Sequence, residues 1–524
     1  MDRPILPPDT LADALRAWRG VLGDAAVIDG ATALAAGRPT YRLHSAAWAV
    51  LAPGNAQEVA QALGIAQAHG IAVLPVSSGL NWGYGSRVPV RPGVVLSLAR
   101  LDRILGYDDR LGWVRVQVGV TQAQLHAFLQ ERGGRFWMDA TGSARSASVV
   151  ANALERGFGH TPHSDHFAQC CDLEVVLPDG QMLRTGFGAM PACHGAPVYR
   201  YGLGPVVDGL FSQSTLGVVT ALTLWLMPRP ESFCAFSLSV AQADHLPALA
   251  DARLEGTLAQ PIHLGNDYKL LASVADFPFD AVPRGQALVG EVLERLRRQH
   301  AVPAWSGMGA VYGTRRQTQA ALARIRALVR STGARCLRVT PTRLRWAGLL
   351  APWLRQWTGL DLAPSLAAAW PAYRLLQGEP TDAFVPSAYW RMRRKPPQVL
   401  ALNPDLDGVG LRWVAPVAPA TPEHVARLVA LVSDTVLSHG LEPLLTLNFI
   451  GPRAVALVTG LTWDRSDPEE DRRADRAHAA LVAATTGAGY WPYRNSTGES
   501  PPLADPLGIL RAAESGGVLL GRCA

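Results

Sequence analysis

Nowhere in its 524 residues does the chain hold an apolar run close to the roughly 18 residues that a membrane-spanning helix requires. Met1 to Pro8 lacks a basic segment followed by an apolar stretch, which predicts no secretory leader. Cysteine is scarce: six residues and no CxxC pair, too few for a disulfide framework in a chain of this length. Cys170 and Cys171 are adjacent, a spacing ordinary zinc geometry does not use, so they read as buried core thiols and no metal is expected. Dense runs of one charge are missing too. Lys and Arg total 49 against 43 Asp and Glu, and Arg391, Arg393, Arg394 and Lys395 read as solvated surface. Nucleic-acid and membrane partners are therefore not expected, and the composition suits a reduced, cytoplasmic protein. There is no internal repeat and no low-complexity tract.

Against these absences, 48% of the residues are apolar and 18% charged, enough to bury a large interior shared by two or three domains. Gln57 to His69 has helical spacing and is stopped by Gly70; Ile71 to Val76 reads as a buried strand, and Val94 to Leu98 as another. Trp113 to Val118 alternates with period two, and Thr121 caps a helix that ends at Gly133. Leu173 to Leu177 and Met182 to Thr185 flank Asp179-Gly180, a hairpin signal. Gly217 to Met227 is a strongly apolar strand, and Pro228 and Pro230 mark a boundary. Residues 231–464 mix strands with amphipathic helices, among them Thr421 to His439, with Pro422 at its first turn. Within them, 349–397 is rich in Trp, Pro and Leu and reads as loops and short helices lining a cavity. The expected fold is α+β: a first domain over 1–230, a second over 231–464, and a C-terminal segment, 465–524, returning to the first.

Val76-Ser-Ser-Gly-Leu-Asn-Trp-Gly-Tyr-Gly-Ser86 leaves a strand with three glycines and three serines in eleven residues. Successive backbone N–H groups in such a loop can turn inward and cradle an anion, and glycine lets a pyrophosphate approach closely. Glycine-rich loops also make plain turns, so the loop alone leaves both readings open. It is neither a Gly-Lys-Ser/Thr phosphate loop nor a GxGxxG that opens a helix, which weakens an ATP or nicotinamide reading.

Several ordered stretches carry a more specific resemblance. They are this loop, Val118-Gly-Val-Thr-Gln-Ala-Gln-Leu125, Glu155-Arg-Gly-Phe-Gly-His-Thr-Pro-His-Ser-Asp-His-Phe167, Tyr201-Gly-Leu-Gly-Pro205, Asp208-Gly-Leu-Phe211, Gly217 to Pro228, Trp463 to Glu470 and Gly489-Tyr-Trp-Pro-Tyr-Arg494. Together they resemble the vanillyl-alcohol oxidase / p-cresol methylhydroxylase flavoprotein family. The resemblance implies a two-subdomain FAD-binding domain of the p-cresol methylhydroxylase type with an α+β cap domain, and FAD as cofactor. It places Val76, Ser77, Ser78, Gly79, Leu80, Asn81, Gly83, Tyr84, Ser148, Asn152, Asp165, Gly217, Val218, Val219 and Arg494 at the cofactor. It also implies a para-substituted phenol bound as phenolate and clamped by Tyr84, Tyr493 and Arg494, since a buried phenolate needs a cation and donors. Asp165 matches a catalytic carboxylate near the flavin N5 edge, and His160, His163 and His166 beside it read as pocket lining.

The departures from the family pattern are as informative. Pro396 to Ala418 contains no His or Tyr to attach the flavin, which predicts non-covalent FAD. Pro452 to Val458 has no histidine and Leu445 to Phe449 no acid, so some cap-domain acid/base equipment is expected to be absent. Only residues 495–504 separate Arg494 from Asp505-Pro-Leu-Gly-Ile-Leu510, and Arg511 to Gly516 replaces a family turn, so a more open pocket is expected. The reading is benzylic oxidation, through a quinone methide, of a phenol larger than a cresol, with oxygen or an electron-acceptor protein as the sink. A homodimer is an expectation of the resemblance alone. Two rivals stay open: a same-fold oxidase of a non-phenolic alcohol or amine, and a flavin-binding subunit with little turnover of its own. His44 reads as structural.

Overall fold

The computed structural model describes residues 8–30, 32–33, 39–43, 47–89, 91–330, 332–397 and 402–496. His44, the Asp505–Leu510 signature and the Arg511–Gly516 turn lie outside the described residues.

Two sheets make up the N-terminal part. The first has four strands in the order Val27–Asp29, Ala47–Leu51, Gly93–Ser97, Val73–Val76, and its last three run parallel. Parallel pairing demands a crossover, and the helix Ala56–Ala68 supplies it, capped by the Asn55 side chain on Glu58 N and burying Val59, Leu63 and Ala66. The second sheet has five antiparallel strands: Ile104–Asp108, Trp113–Gln117, Val218–Trp225, Cys170–Val176 and Met182–Arg184. Its last pair is the hairpin read from Asp179-Gly180, with Gly180 at φ +85°. Val114, Val116, Leu173, Val175 and Leu222 are fully buried in one core with Val59, Val94 and Leu96 of the first sheet.

After Ser232 the chain builds an eight-stranded sheet, antiparallel throughout. Its order is Arg335–Val339, Ser232–Val240, Trp305–Gly313, His263–Asn266, Leu444–Asn448, Ala454–Asp464, Val409–Val414, with Val417–Pro419 also on Ala454–Asp464. The helix Pro422–Ser438 covers it with Val425, Leu428, Val432 and Val436, all fully buried.

Two stretches differ from expectation. The helix Pro468–Gly487, expected in the returning segment, packs Ala474, Ala477 and Leu481 into the core of the eight-stranded sheet. That apolar stripe needs a greasy surface, and the sheet offers one; the approach to the glycine loop comes only with Tyr493 and Arg494. Just under half of the stretch 349–397 belongs to two sizeable helices, Pro341–Thr358 and Ala363–Leu375. Thr340 caps the first through Arg343 N, Pro341 opens it, and Gly359 closes it at φ +74°. Its tryptophans do not line a cavity: Trp346, Trp353 and Trp357 are 62%, 57% and 70% exposed.

Candidate active site

The strand Val73–Val76 ends in the glycine loop, where Gly79, Gly83 and Gly85 adopt φ +70°, +78° and +115°. Only glycine takes such angles without strain. The serines anchor the loop from beneath. Ser77 Oγ donates to Val118 O at 2.6 Å, Ser148 Oγ donates to the same carbonyl at 2.6 Å, and Ser148 N donates to Ser78 Oγ at 3.2 Å. Ser148 also caps the short helix Val149–Leu154, accepting from Ala151 N. A Cβ on Gly79 would lie 2.0 Å from Arg87 Nε, so that guanidinium is laid directly on the loop, where it donates to Ser78 O at 2.8 Å. Left-handed glycines under a cation suit a diphosphate, and the loop therefore fits FAD. Gly217 serves packing: a Cβ there would lie 2.6 Å from Val175 Cγ1, and Val218 and Val219 are buried in the sheet that follows. Leu80 is half-buried on the loop.

Tyr84, Tyr493 and Arg494 come together although more than 400 residues separate the loop from the C-terminal pair (Asn81 to Arg494 spans 413). Tyr84 and Tyr493 share a side-chain hydrogen bond. The Arg494 guanidinium sits 4.1 Å over the Tyr84 ring, donates to Asn81 Oδ1 at 2.5 Å, and approaches Glu155 Oε2 at 3.2 Å. The backbone fixes this placement, with Tyr493 N donating to Ala415 O at 3.2 Å beside a Pro416–Pro492 bridge. Burial raises the Tyr493 hydroxyl above its ordinary value, while Arg494 and the bond with Tyr84 pull the other way.

From Tyr493 an aromatic series runs to the eight-stranded sheet. The Phe158 ring lies 5.7 Å from Tyr493 and 5.9 Å from His263, and His160 stacks on His263 at 4.0 Å. His263 Nε2 faces Gly159 O at 3.0 Å and Nδ1 faces the Asn448 side chain at 2.6 Å. A carbonyl only accepts, so Nε2 carries a proton; burial lowers the pKa of the ring below its ordinary value, while the contacts with Gly159 O and the Asn448 side chain pull it up. Burial, then the neighbouring His263, pulls His160 down to about 3. Its Nδ1 donates to Ala140 O at 3.2 Å, which leaves Nε2 as the acceptor.

The three histidines read together from the sequence have separate duties. His166 lies between Asn152 Oδ1 at 2.6 Å and Asp139 Oδ2 at 2.8 Å, beside a small pocket that His163 and Trp225 also line. His163 Nδ1 faces Trp225 O at 3.3 Å. Asp139, absent from the sequence reading, is a buried carboxylate that accepts from His160 N at 3.0 Å and Thr161 N at 2.8 Å. Burial pushes its pKa up, but the bond from His166 and the surrounding donors hold it below the ordinary value. Asp165 is exposed; its carboxylate accepts from Ala168 N at 3.0 Å, and its backbone pairs with Phe158. Its carboxylate turns to Ala168 N rather than to the Tyr84–Tyr493–Arg494 group.

His263 is the other residue that the sequence reading missed. Leu444–Asn448 carries no acid or histidine, but strand register sets His263 opposite Asn448, so a neighbouring strand brings the imidazole. His263 left no local signal, but for Asp139 there was one in Gly157-Phe-Gly159. A Cβ at Gly159 would lie 2.0 Å from Asp139 Oδ2, and one at Gly157 would lie 2.2 Å from Asn152 Oδ1. Both glycines exist to admit these side chains.

Residues 47–186 match the family described as the FAD binding domain. The 1'-carboxy-chondrochloren decarboxylase of Chondromyces crocatus is 38% identical over 501 residues, 92% of this chain and 90% of that protein. The 4-cresol dehydrogenase [hydroxylating] flavoprotein subunit of Pseudomonas putida is 26% identical over 513 residues, 95% and 90% of the two chains. Among solved structures, p-cresol methylhydroxylase with substrate bound superposes with a TM-score of 0.81 at 24% identity, covering 95% of this chain and 91% of that one. The 4-ethylphenol oxidase of Gulosibacter chungangensis, in its isoeugenol complex, gives 0.81 at 25% identity with the same coverage. With its FAD-fitting loop and α+β architecture, this chain belongs to the vanillyl-alcohol oxidase / p-cresol methylhydroxylase family and is an FAD-dependent oxidoreductase.

Proposed function

We propose that the protein oxidises a para-substituted phenol at its benzylic carbon. The observation that carries this reading is the clamp: two tyrosine hydroxyls in hydrogen-bond contact with a guanidinium over one of their rings. Bound FAD supplies a two-electron acceptor for hydride. The loop from Val76 to Tyr84, with Ser148, Asn152, Asp165, Gly217 to Val219 and Arg494, would hold it. The strands Val409–Val414 and Val417–Pro419 offer neither His nor Tyr, which supports non-covalent binding.

In this reading Tyr84, Tyr493 and Arg494 hold the substrate as phenolate. The ring oxygen pushes electrons toward the para carbon as hydride leaves the benzylic position, and a quinone methide results. His160, neutral with Nε2 as acceptor, receives a hydrogen bond from an attacking nucleophile and orients it. Asp165 steadies the positive character of the benzylic carbon. Electrons then pass to oxygen or to an electron-acceptor protein. The name of the Chondromyces relative supports a second outcome for the same intermediate. If the neighbouring carbon bears a carboxylate, loss of carbon dioxide returns the C–C bond electrons to the chain, restores the aromatic phenolate and leaves an alkene.

Tyr493→Phe and Arg494→Ala test the clamp. Each should lower turnover of para-alkylphenols on the order of a hundredfold, the scale of one lost donor to a charged oxygen. Unchanged turnover in both variants would remove the clamp from the account.

A further inference from the structure

Lysine occurs at only two positions, 269 and 395, and the two are treated differently. Lys395 is a surface residue paired with Asp276 at 2.6 Å. Lys269, in the first turn of the helix Asp267–Val274, is half-buried, and no carboxylate pairs with it among the described residues. Two buried cations are neutralised, Arg391 by Glu442 at 3.0 Å and Arg115 by Asp172 at 2.5 Å, whereas Arg253, like Lys269, shows no carboxylate partner among the described residues. An ammonium partly withdrawn from water without a carboxylate beside it is costly to keep charged, and a counter-charge from outside the chain would offset that cost.

The position of Lys269 says where that charge would sit. Its stem crosses Gly265, where a Cβ would lie 3.3 Å from Lys269 Cγ, on the strand that carries His263. Its Nζ stands 6.0 Å from the Trp413 ring. Trp413 in turn lies on the glycine loop: its Nε1 donates to Trp82 O at 3.0 Å, and a Cβ on Gly83 would lie 2.3 Å from its Cδ1. Tyr84 of the clamp is the next residue. In the other direction, Nζ donates to Ser387 Oγ at 3.0 Å, and Ser387 donates to Phe384 O at 2.8 Å. Phe384 and His160 both flank Gly142, each 3.7 Å from a Cβ built there. Contacts thus lead from the clamp to Lys269 by two routes, one through Trp413 and one through the stacked histidines. An ammonium has three N–H donors, and one of Lys269's goes to Ser387.

We infer that Lys269 anchors a carboxylate on the para substituent of the substrate, so that the protein selects phenolic acids over neutral phenols. This rests on the clamp reading above, which places the phenol oxygen at Tyr84, Tyr493 and Arg494. Burial lowers the Lys269 ammonium to about 8, so the charge persists at neutral pH and a bound carboxylate would push that value back up.

Two lysines make a direct test practicable. The holoenzyme is reductively methylated with carbon-13 formaldehyde, and the resonance missing from Lys269→Met is assigned to Lys269. Para-hydroxyphenyl acetate, propanoate and butanoate are then titrated in, each beside its methyl ester. At least one acid should raise the titration midpoint of Lys269 and bind about tenfold more tightly than its ester, the scale of one hydrogen bond between charged groups. Lys269→Met should abolish that preference. Acids that bind no better than their esters, a Lys269 midpoint they leave unmoved, or a preference that survives in Lys269→Met would each overturn the inference. Failure of the clamp reads differently: Arg494→Ala would then leave acid and ester affinities both unchanged.

Discussion

At Gly159 the fold leaves no room for even a methyl group, because the Asp139 carboxylate occupies the space. That carboxylate takes His160 N, Thr161 N and His166 Nε2, and so holds the tip of the hairpin that carries Phe158 and His160. Asp139→Ala strands these donors and should cost about 3–5 kcal/mol, read by chemical denaturation. His160 gives a pH signature. It starts from an ordinary value of 6.5 and is held at about 3 when folded, so between these limits the unfolded chain binds the extra proton. Stability from this group is full above 6.5 and is lost as pH falls toward 3; His160→Phe should make that acid-side loss shallower, and an unchanged slope would contradict the assignment. The grouping of Tyr84, Tyr493 and Arg494 was legible in the sequence because each member sits inside a motif. His263 and Asp139 were not: His263 meets Asn448 across 185 residues, and strand register makes such pairs without any local signal.

At the scale of elements, the glycine loop and the strand Val409–Val414 act as one unit. Trp413 N donates to Gly83 O at 3.3 Å, and the indole covers Gly83, whose φ is +78°. Gly83→Ala would both strain the backbone and displace Trp413, and should weaken FAD retention about tenfold; equilibrium dialysis checks this, and unaltered retention would separate the indole from the cofactor. The loop, the crossover helix, the hairpin and the helix at Pro422 follow local rules of capping, period and turn chemistry, and the sequence shows them. The helix Pro341–Thr358 carries equally good end signals in Thr340, Pro341 and Gly359, but its tryptophans and Pro352 hide a helix that exposes those rings.

Across the whole molecule, residues from four distant parts of the chain converge: the glycine loop, the 158–166 hairpin, the eight-stranded sheet and the C-terminal Tyr493-Arg494. The family resemblance anticipated the first, second and fourth, since each has a recognisable motif. The contributions of His263, on the sheet, and of Lys269, on the helix that follows its strand, depend on which strands pair and could be seen only in three dimensions. The account's central claim is that this assembly oxidises a phenol as its phenolate. The measurement that tests it most directly is anaerobic mixing of the holoenzyme with a para-alkylphenol and, in parallel, with its methyl ether, while the visible flavin band is followed. The account predicts that the phenol bleaches the band and that the ether, which cannot become a phenolate, leaves it intact; equal bleaching by both, or none by any para-substituted phenol, would contradict it.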